Sequence, residues 1–188
     1  MAKKFTYGYD VNAYINEALK RLQECHPWAT LDHFRKNCTY AIEKEGRKHV
    51  FVCYSNYDDG TSDRTFVEGD GEAFIKQIYS DQEWWIEVNN NTTESYRLDI
   101  PGEVDIAGWT LEIYEFRKHE FGGISSFIQA GNRSTGGSRE FFLPNSFFEG
   151  TFDDFLERYN NFVSGCFTLP VKWAKETEGL KEFLGFKE

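Results

Sequence analysis

Hydrophobic and polar positions change period several times along the chain, and each change predicts an element. After Asp10 the apolar residues Val11, Tyr14, Ile15, Ala18, Leu19 and Leu22 recur at three- and four-residue spacing. That is the stripe of an amphipathic helix, and Asp10 is a good N-cap because its carboxylate can accept from free backbone N–H groups. The helix should stop near Cys25-His26-Pro27, and a short second one is expected from a Thr30 cap through Leu31 and Phe34.

The period then falls to two. Tyr40 and Ile42, and the run His49–Tyr54, read as strands because β-branched and aromatic side chains suit a pleated surface. Gly46 with Arg47-Lys48 predicts a hairpin turn, Asp58-Asp59-Gly60 the next turn, and Arg64–Val67 a short strand. A helix is expected from about Gly71, with Phe74, Ile75 and Ile78 on one face. Trp84, Ile86 and Val88 alternate, Asn89 to Thr93 turns the chain, and Tyr96, Leu98 and Ile100 alternate again, which predicts a hairpin ended by Pro101-Gly102. Trp109, Leu111 and Ile113 form a strand pattern, Gly122-Gly123 an expected bulge, Gly131 to Gly137 a loop, and Arg139–Leu143 a further strand. Thr151, with Asp154 three residues on, approximates a capping box for a helix striped by Phe152, Phe155, Leu156, Tyr159, Phe162 and Val163. A last helix is expected from Pro170 to Leu184, stopped by Gly185.

Parts of this pattern occur twice. Thr39-x-x-Ile42 precedes Arg47-Lys48-His49, and Thr110-x-x-Ile113 precedes Arg117-Lys118-His119. Arg64-x-Phe66 corresponds to Arg139-x-Phe141, and Phe74-Ile75 to Phe155-Leu156, with an insertion around Pro144. Two readings fit: a duplicated unit, or convergence of short amphipathic patterns. The expected fold class is α+β: an antiparallel sheet with about four covering helices, in two related βββα halves (39–80 and 109–163) of one compact domain over 1–188, separated by a hairpin at 81–108.

Composition narrows the classes. Of 188 residues 40% are hydrophobic and 18% aromatic, which excludes a disordered acidic tail. No stretch approaches 18 apolar residues, so no membrane span is expected. The start, Met1 to Tyr7, has no apolar run behind its lysines, so a cytoplasmic location with reduced Cys25, Cys38, Cys53 and Cys166 is expected.

The net charge of −10 disfavours direct contact with nucleic acid or a membrane surface and suits solubility or a basic partner. Residues 81–108 carry seven acids against Arg97 alone, more than half of the excess. On the hairpin reading Glu83, Trp85, Glu87, Glu94, Asp99, Glu103 and Asp105 would form a partner-binding face. Same-face strand positions recur every ~6.6 Å, near the spacing of phosphates along a nucleic-acid strand, so such a face could imitate one. Its plainer role would be a charged edge that prevents pairing with other chains.

Other chemistry is weakly signalled. The two Arg-Lys-His triplets read either as anion sites or as solvated hairpin tips. Cys25, His26, His33 and Cys38 are zinc-ligand types at a spacing that fits no standard pattern, and no cofactor is implied. The Gly131–Gly137 loop lacks a Gly-Lys-Ser/Thr ending. Asp58, Asp59 and Asp63 with Glu112, Glu115 and Lys118 admit a metal-dependent hydrolase or nuclease, the alternative to a binding protein. Self-association through Trp84, Trp85 or Trp173 is a third reading. In size, acidity, aromatic richness and lack of a catalytic signature the chain resembles the small inhibitors that phages and mobile elements direct against nucleic-acid-binding defence enzymes, the anti-restriction and anti-CRISPR proteins. That resemblance implies a non-catalytic inhibitor that occupies a basic site on a protein partner.

Overall fold

A computed structural model describes residues 4–99, 105–106, 109–132, 137–167 and 178–186. The fold is α+β, with two antiparallel sheets and four helices, and the chain divides into two compact units, residues 1–90 and 91–188.

The first unit runs α1 (Val11–Cys25), a 3-10 turn (Leu31–His33), β1 (Cys38–Glu45), β2 (Lys48–Asn56), β3 (Ser62–Val67) and α2 (Gly71–Val88). The sheet order is β1-β2-β3. Asp10 caps α1 as its position foretold, accepting from Asn12 N at 3.1 Å. Alternation sends Tyr40, Ile42, Phe51 and Cys53 to one sheet face, where they meet Tyr14 and Ala18 of α1 and Phe74, Ile75 and Ile78 of α2. The Phe51 and Phe74 rings stack at 4.5 Å.

The expected strand over 84–88 is instead the C-terminal half of α2. The helical stripe Phe74, Ile75, Ile78 continues through Gln82 to Ile86, all buried. Gln82 breaks the apolar pattern, and its burial is possible because both ends of its amide are used. Its Oε1 accepts from Arg35 N at 2.8 Å, and its Nε2 donates to the Tyr40 hydroxyl at 2.8 Å.

The second unit runs β4 (Thr92–Asp99), β5 (Asp105–Ile106), β6 (Trp109–His119), β7 (Ile124–Asn132), β8 (Gly137–Phe142), a 3-10 turn (Asn145–Phe148), α3 (Phe152–Phe167) and α4 (Glu178–Leu184). The sheet order is β4-β6-β7-β8, with β5 on β6. β4, expected to pair with 84–88, pairs with β6. Gly122 and Gly123, expected as a bulge, form the β6–β7 turn with φ of 106° and 85°. Thr151 and Asp154 do close a capping box: Thr151 N donates to Asp154 Oδ2 at 2.8 Å, and Asp154 N to Thr151 Oγ1 at 3.2 Å. The α3 stripe of Phe155, Tyr159 and Val163 packs with Phe116, Ile128 and Leu143.

The expected last helix is only partly within the described residues, since 168–177 lie outside them. From Gly179 to Phe183 the backbone of α4 winds left-handed, with φ between 43° and 58°. Within and just after this stretch Leu180, Leu184 and Phe186 are buried. Both units share the order strand, strand, strand, helix. Thr39 and Ile42 lie on β1 and Thr110 and Ile113 on β6, while Arg64 and Phe66 lie on β3 and Arg139 and Phe141 on β8.

Candidate protein-interaction site

The two helices of the first unit run in the same direction. Near their starts the Tyr14 and Phe74 rings lie 5.6 Å apart, and at their ends His26 Nε2 lies 3.5 Å from Glu87 Oε1. Their dipoles are therefore aligned, with both positive poles at one end and both negative poles at the other. The positive end is built as electrostatics favours. Asp10 caps α1, Asp70 caps α2 by accepting from Glu72 N and Ala73 N, and Glu72 sits in the first turn of α2.

The negative end is built the other way. Neither helix has a basic residue in its last turn. Glu24 is the penultimate residue of α1, Glu87 that of α2, and Glu83 lies one turn earlier. Burial pushes the Glu83 carboxyl above the ordinary range; a hydrogen bond from the Tyr79 hydroxyl (2.5 Å) opposes this, the Glu87 charge adds to it, and the nearby His26 opposes it. Cys25 sits among the same groups. Its thiol is pushed up to about 11, first by burial and then by the charges of Glu83, Glu24 and Glu87. Among the described residues no Lys or Arg forms an ion pair with any of the three glutamates.

Beside this end stands an exposed apolar pair. Trp84 is 56% exposed and Val88, one turn on, is 59% exposed. Trp85 is half-buried, with its ring 6.4 Å from that of Trp84. On the other side of Trp84 a cleft of about 270 Å³ opens between α2 and the end of the sheet, with Asp81, Cys38, Cys53, Ser55 and Thr65 among its walls. The thiols there are not reactive groups: burial raises Cys38 and pushes Cys53 up to about 12.

The seven acidic-face residues expected of a hairpin do not share one ribbon. Glu83, Trp85 and Glu87 lie on α2, Glu94 and Asp99 on β4, Asp105 on β5, and Glu103 lies outside the described residues. Glu94 is neutralised by Lys118 at 3.2 Å. The helix brings Glu83 and Glu87 together and adds Glu24, which sequence reasoning missed. A signal for it existed, since Glu24 and Glu87 each stand next to a helix end where a base would be favoured.

The remaining candidates are engaged structurally. Arg47 and Lys48 are exposed at the β1–β2 turn, while His49 stacks on Tyr9 at 4.0 Å. The second triplet lies within β6 rather than at a tip. Arg117 pairs with Glu115 (3.0 Å) and Glu140 (3.1 Å). Ser125 Oγ donates to Glu140 Oε1 at 2.9 Å and lies 2.7 Å from His119 Nε2. Ser125 is fully buried, so this chain of groups reads as a satisfied polar network rather than a nucleophile with its base. Asp59 caps the turn through Thr61, and Asp63 accepts from the Tyr57 hydroxyl at 2.7 Å. Among the described residues no group of three or more His, Cys, Asp or Glu side chains is placed to hold a metal ion, and no helix is long and apolar enough to cross a membrane. No protein-family model, no curated protein and no solved structure matches this chain.

Proposed function

We propose that this is a non-catalytic binding protein whose α1–α2 negative end occupies a basic, nucleic-acid-binding site on a protein partner and blocks it, as an anti-restriction or anti-CRISPR type of inhibitor would. One observation carries the reading. Glu24, Glu83 and Glu87 crowd the negative poles of two aligned helices, where the dipoles disfavour a carboxylate and none of the three has a Lys or Arg ion pair. A cationic surface would relieve that opposition on contact. Trp84 beside them supplies the large apolar contact that anchors protein interfaces. The acids that the notional ribbon would have placed on β4 are not needed.

The test uses the full chain as bait and compares it with a Glu24→Gln/Glu83→Gln/Glu87→Gln variant. The wild type should retain a basic nucleic-acid-handling enzyme at low salt, release it as salt rises, lose it to added DNA or RNA competitor, and inhibit it; the variant should do none of these. Equal capture and inhibition by both proteins would refute the reading. Exposed Trp84 and Val88 also favour self-association through this patch, which light scattering on wild type and Trp84→Ala resolves.

A further inference from the structure

The cleft beside Trp84 has its own chemistry. Asp81 is half-buried in its wall. Its Oδ1 accepts from Gln77 Nε2 at 2.8 Å and its Oδ2 from the Tyr40 hydroxyl at 3.3 Å. A carboxylate offers about four lone-pair sites, so acceptor capacity remains on both oxygens. Among the described residues no Lys or Arg lies within ion-pair distance of it. Trp84 follows three residues later on α2, which sets its indole and the carboxylate on the same stretch of helix surface. Ser55, Thr65 and Ser80 add hydroxyls to the walls.

We infer that this cleft is a socket for one arginine side chain of the partner. A planar guanidinium can present two N–H groups to the Asp81 oxygens while its face lies against the Trp84 indole. A lysine ammonium would use the charge but not the fork, and it carries a tighter hydration shell. The volume of about 270 Å³ holds one side chain rather than a drug-sized ligand. Burial raises the Asp81 carboxyl, and an incoming cation offsets that cost. Arg35 also lines the cleft, with its Nε donated to Asn37 Oδ1 at 2.7 Å. Its charge lowers the Asp81 carboxyl in opposition to burial and repels every cationic ligand, more strongly the more cationic centres the ligand carries, which disfavours polyamines relative to a single guanidinium.

The inference rests on the binding role above, and its test separates the two. The full chain, labelled with ¹⁵N, is titrated with N-acetyl-arginine amide and with the neutral isostere N-acetyl-citrulline amide. The Trp84 indole resonance is assigned by its loss in Trp84→Phe. The arginine compound should shift that resonance saturably, with the citrulline compound about tenfold or more weaker. Asp81→Asn, which keeps the shape but replaces the charge and one acceptor oxygen with an amide donor, should weaken the arginine compound by a similar factor, and Trp84→Ala should do so without loss of fold. Equal titration by the two compounds, no saturation, or an unaltered Asp81→Asn would overturn the socket. Asp81→Asn is then used as bait against the captured partner and should retain it less well. Full retention by Asp81→Asn alongside loss by the triple Gln variant would overturn the socket and leave the acidic-end reading standing.

Discussion

Neutralising the acidic end should stabilise the protein while it removes binding. In the Glu24→Gln/Glu83→Gln/Glu87→Gln variant three charges leave the negative poles of α1 and α2, where no Lys or Arg ion pair compensates them and the His26 imidazole at the α1 C-cap lies 3.5 Å from Glu87. A charge misplaced on a helix pole costs about 0.3–1 kcal/mol at low ionic strength. Mutual repulsion adds to this, and the lost charge on the acceptor for the Tyr79 hydroxyl subtracts from it. A net gain of about 1–2 kcal/mol is expected in 20 mM salt. For a unit of 90 residues that corresponds to a rise in Tm of roughly 4–8 °C per kcal/mol. The gain should shrink by about half near 0.3 M salt, where the screening length is about 6 Å against about 20 Å in 20 mM salt. Urea and thermal unfolding at both salt concentrations measure it. Glu72→Gln is the matched control. Glu72 lies at the positive pole of α2 and takes both Arg21 guanidinium nitrogens at 2.7 and 2.8 Å. The same chemical change there should destabilise, by about 0.5–1 kcal/mol. A triple variant that is less stable than wild type at low salt would refute the reasoning, because the glutamates would then be supported rather than opposed.

Three further outcomes follow from the packing and charge. Gly71→Ala, normally a gain within a helix, should instead destabilise by about 1–2 kcal/mol; a Cβ there meets Tyr14 Cε1 at 2.7 Å, and Tyr14 is fully buried with its hydroxyl held by Tyr7 N and Gly8 O. An unchanged Tm would contradict that packing. Glu83 binds its proton more readily folded than unfolded, so its contribution to stability should decline as pH rises from the ordinary 4.5 through its raised value; urea unfolding between pH 4.5 and 7 should show a flatter pH dependence for Glu83→Gln than for wild type. Ser125→Ala leaves Glu140 Oε1 and His119 Nε2 without the hydroxyl they share and should cost about 1–3 kcal/mol of unfolding free energy, whereas a neutral substitution would show the network to be dispensable.

Elements whose signals are local were legible in the sequence. Asp10 and the Thr151–Asp154 box mark helix starts because a cap acts within three residues. The hairpin at Gly46 follows from glycine's freedom at φ 59°. The second half of α2 was illegible for a specific reason. Trp84, Ile86 and Val88 alternate as a strand would, and the helical stripe is interrupted by Gln82, whose burial depends on Tyr40 and Arg35 more than 40 residues away. The site suffered the same limit. Glu83 and Glu87 were found from charge density, but their grouping with Glu24 depends on α1 and α2 lying side by side in the same direction. The sequence places Glu94 on the same face because nothing local reveals that Lys118, across a strand pair, neutralises it.

The distribution of compensation is more informative than the net charge. The chain has 21 basic residues, and several of its carboxylates are paired with one. Arg64 bridges Glu43 and Glu45, Arg117 bridges Glu115 and Glu140, Arg21 takes Glu72, and Lys118 takes Glu94. Arg21 is the instructive case. It lies one turn before Glu24 on α1 yet turns to Glu17 and Glu72, towards the pole that already favours acids. The end that favours bases receives no Lys or Arg in either last turn, and His26 at the α1 C-cap is the basic group beside Glu87. Charge choices that agree with the fold at these ion pairs and conflict with it at the α1–α2 end mark a place where stability and use compete. An acidic surface kept only for solubility gains nothing from sitting on a helix pole, since exposed turns such as Asp58-Asp59 serve that need without opposing a dipole. A surface kept to meet a cation gains directly, because the dipoles of both helices add to the field of the three carboxylates.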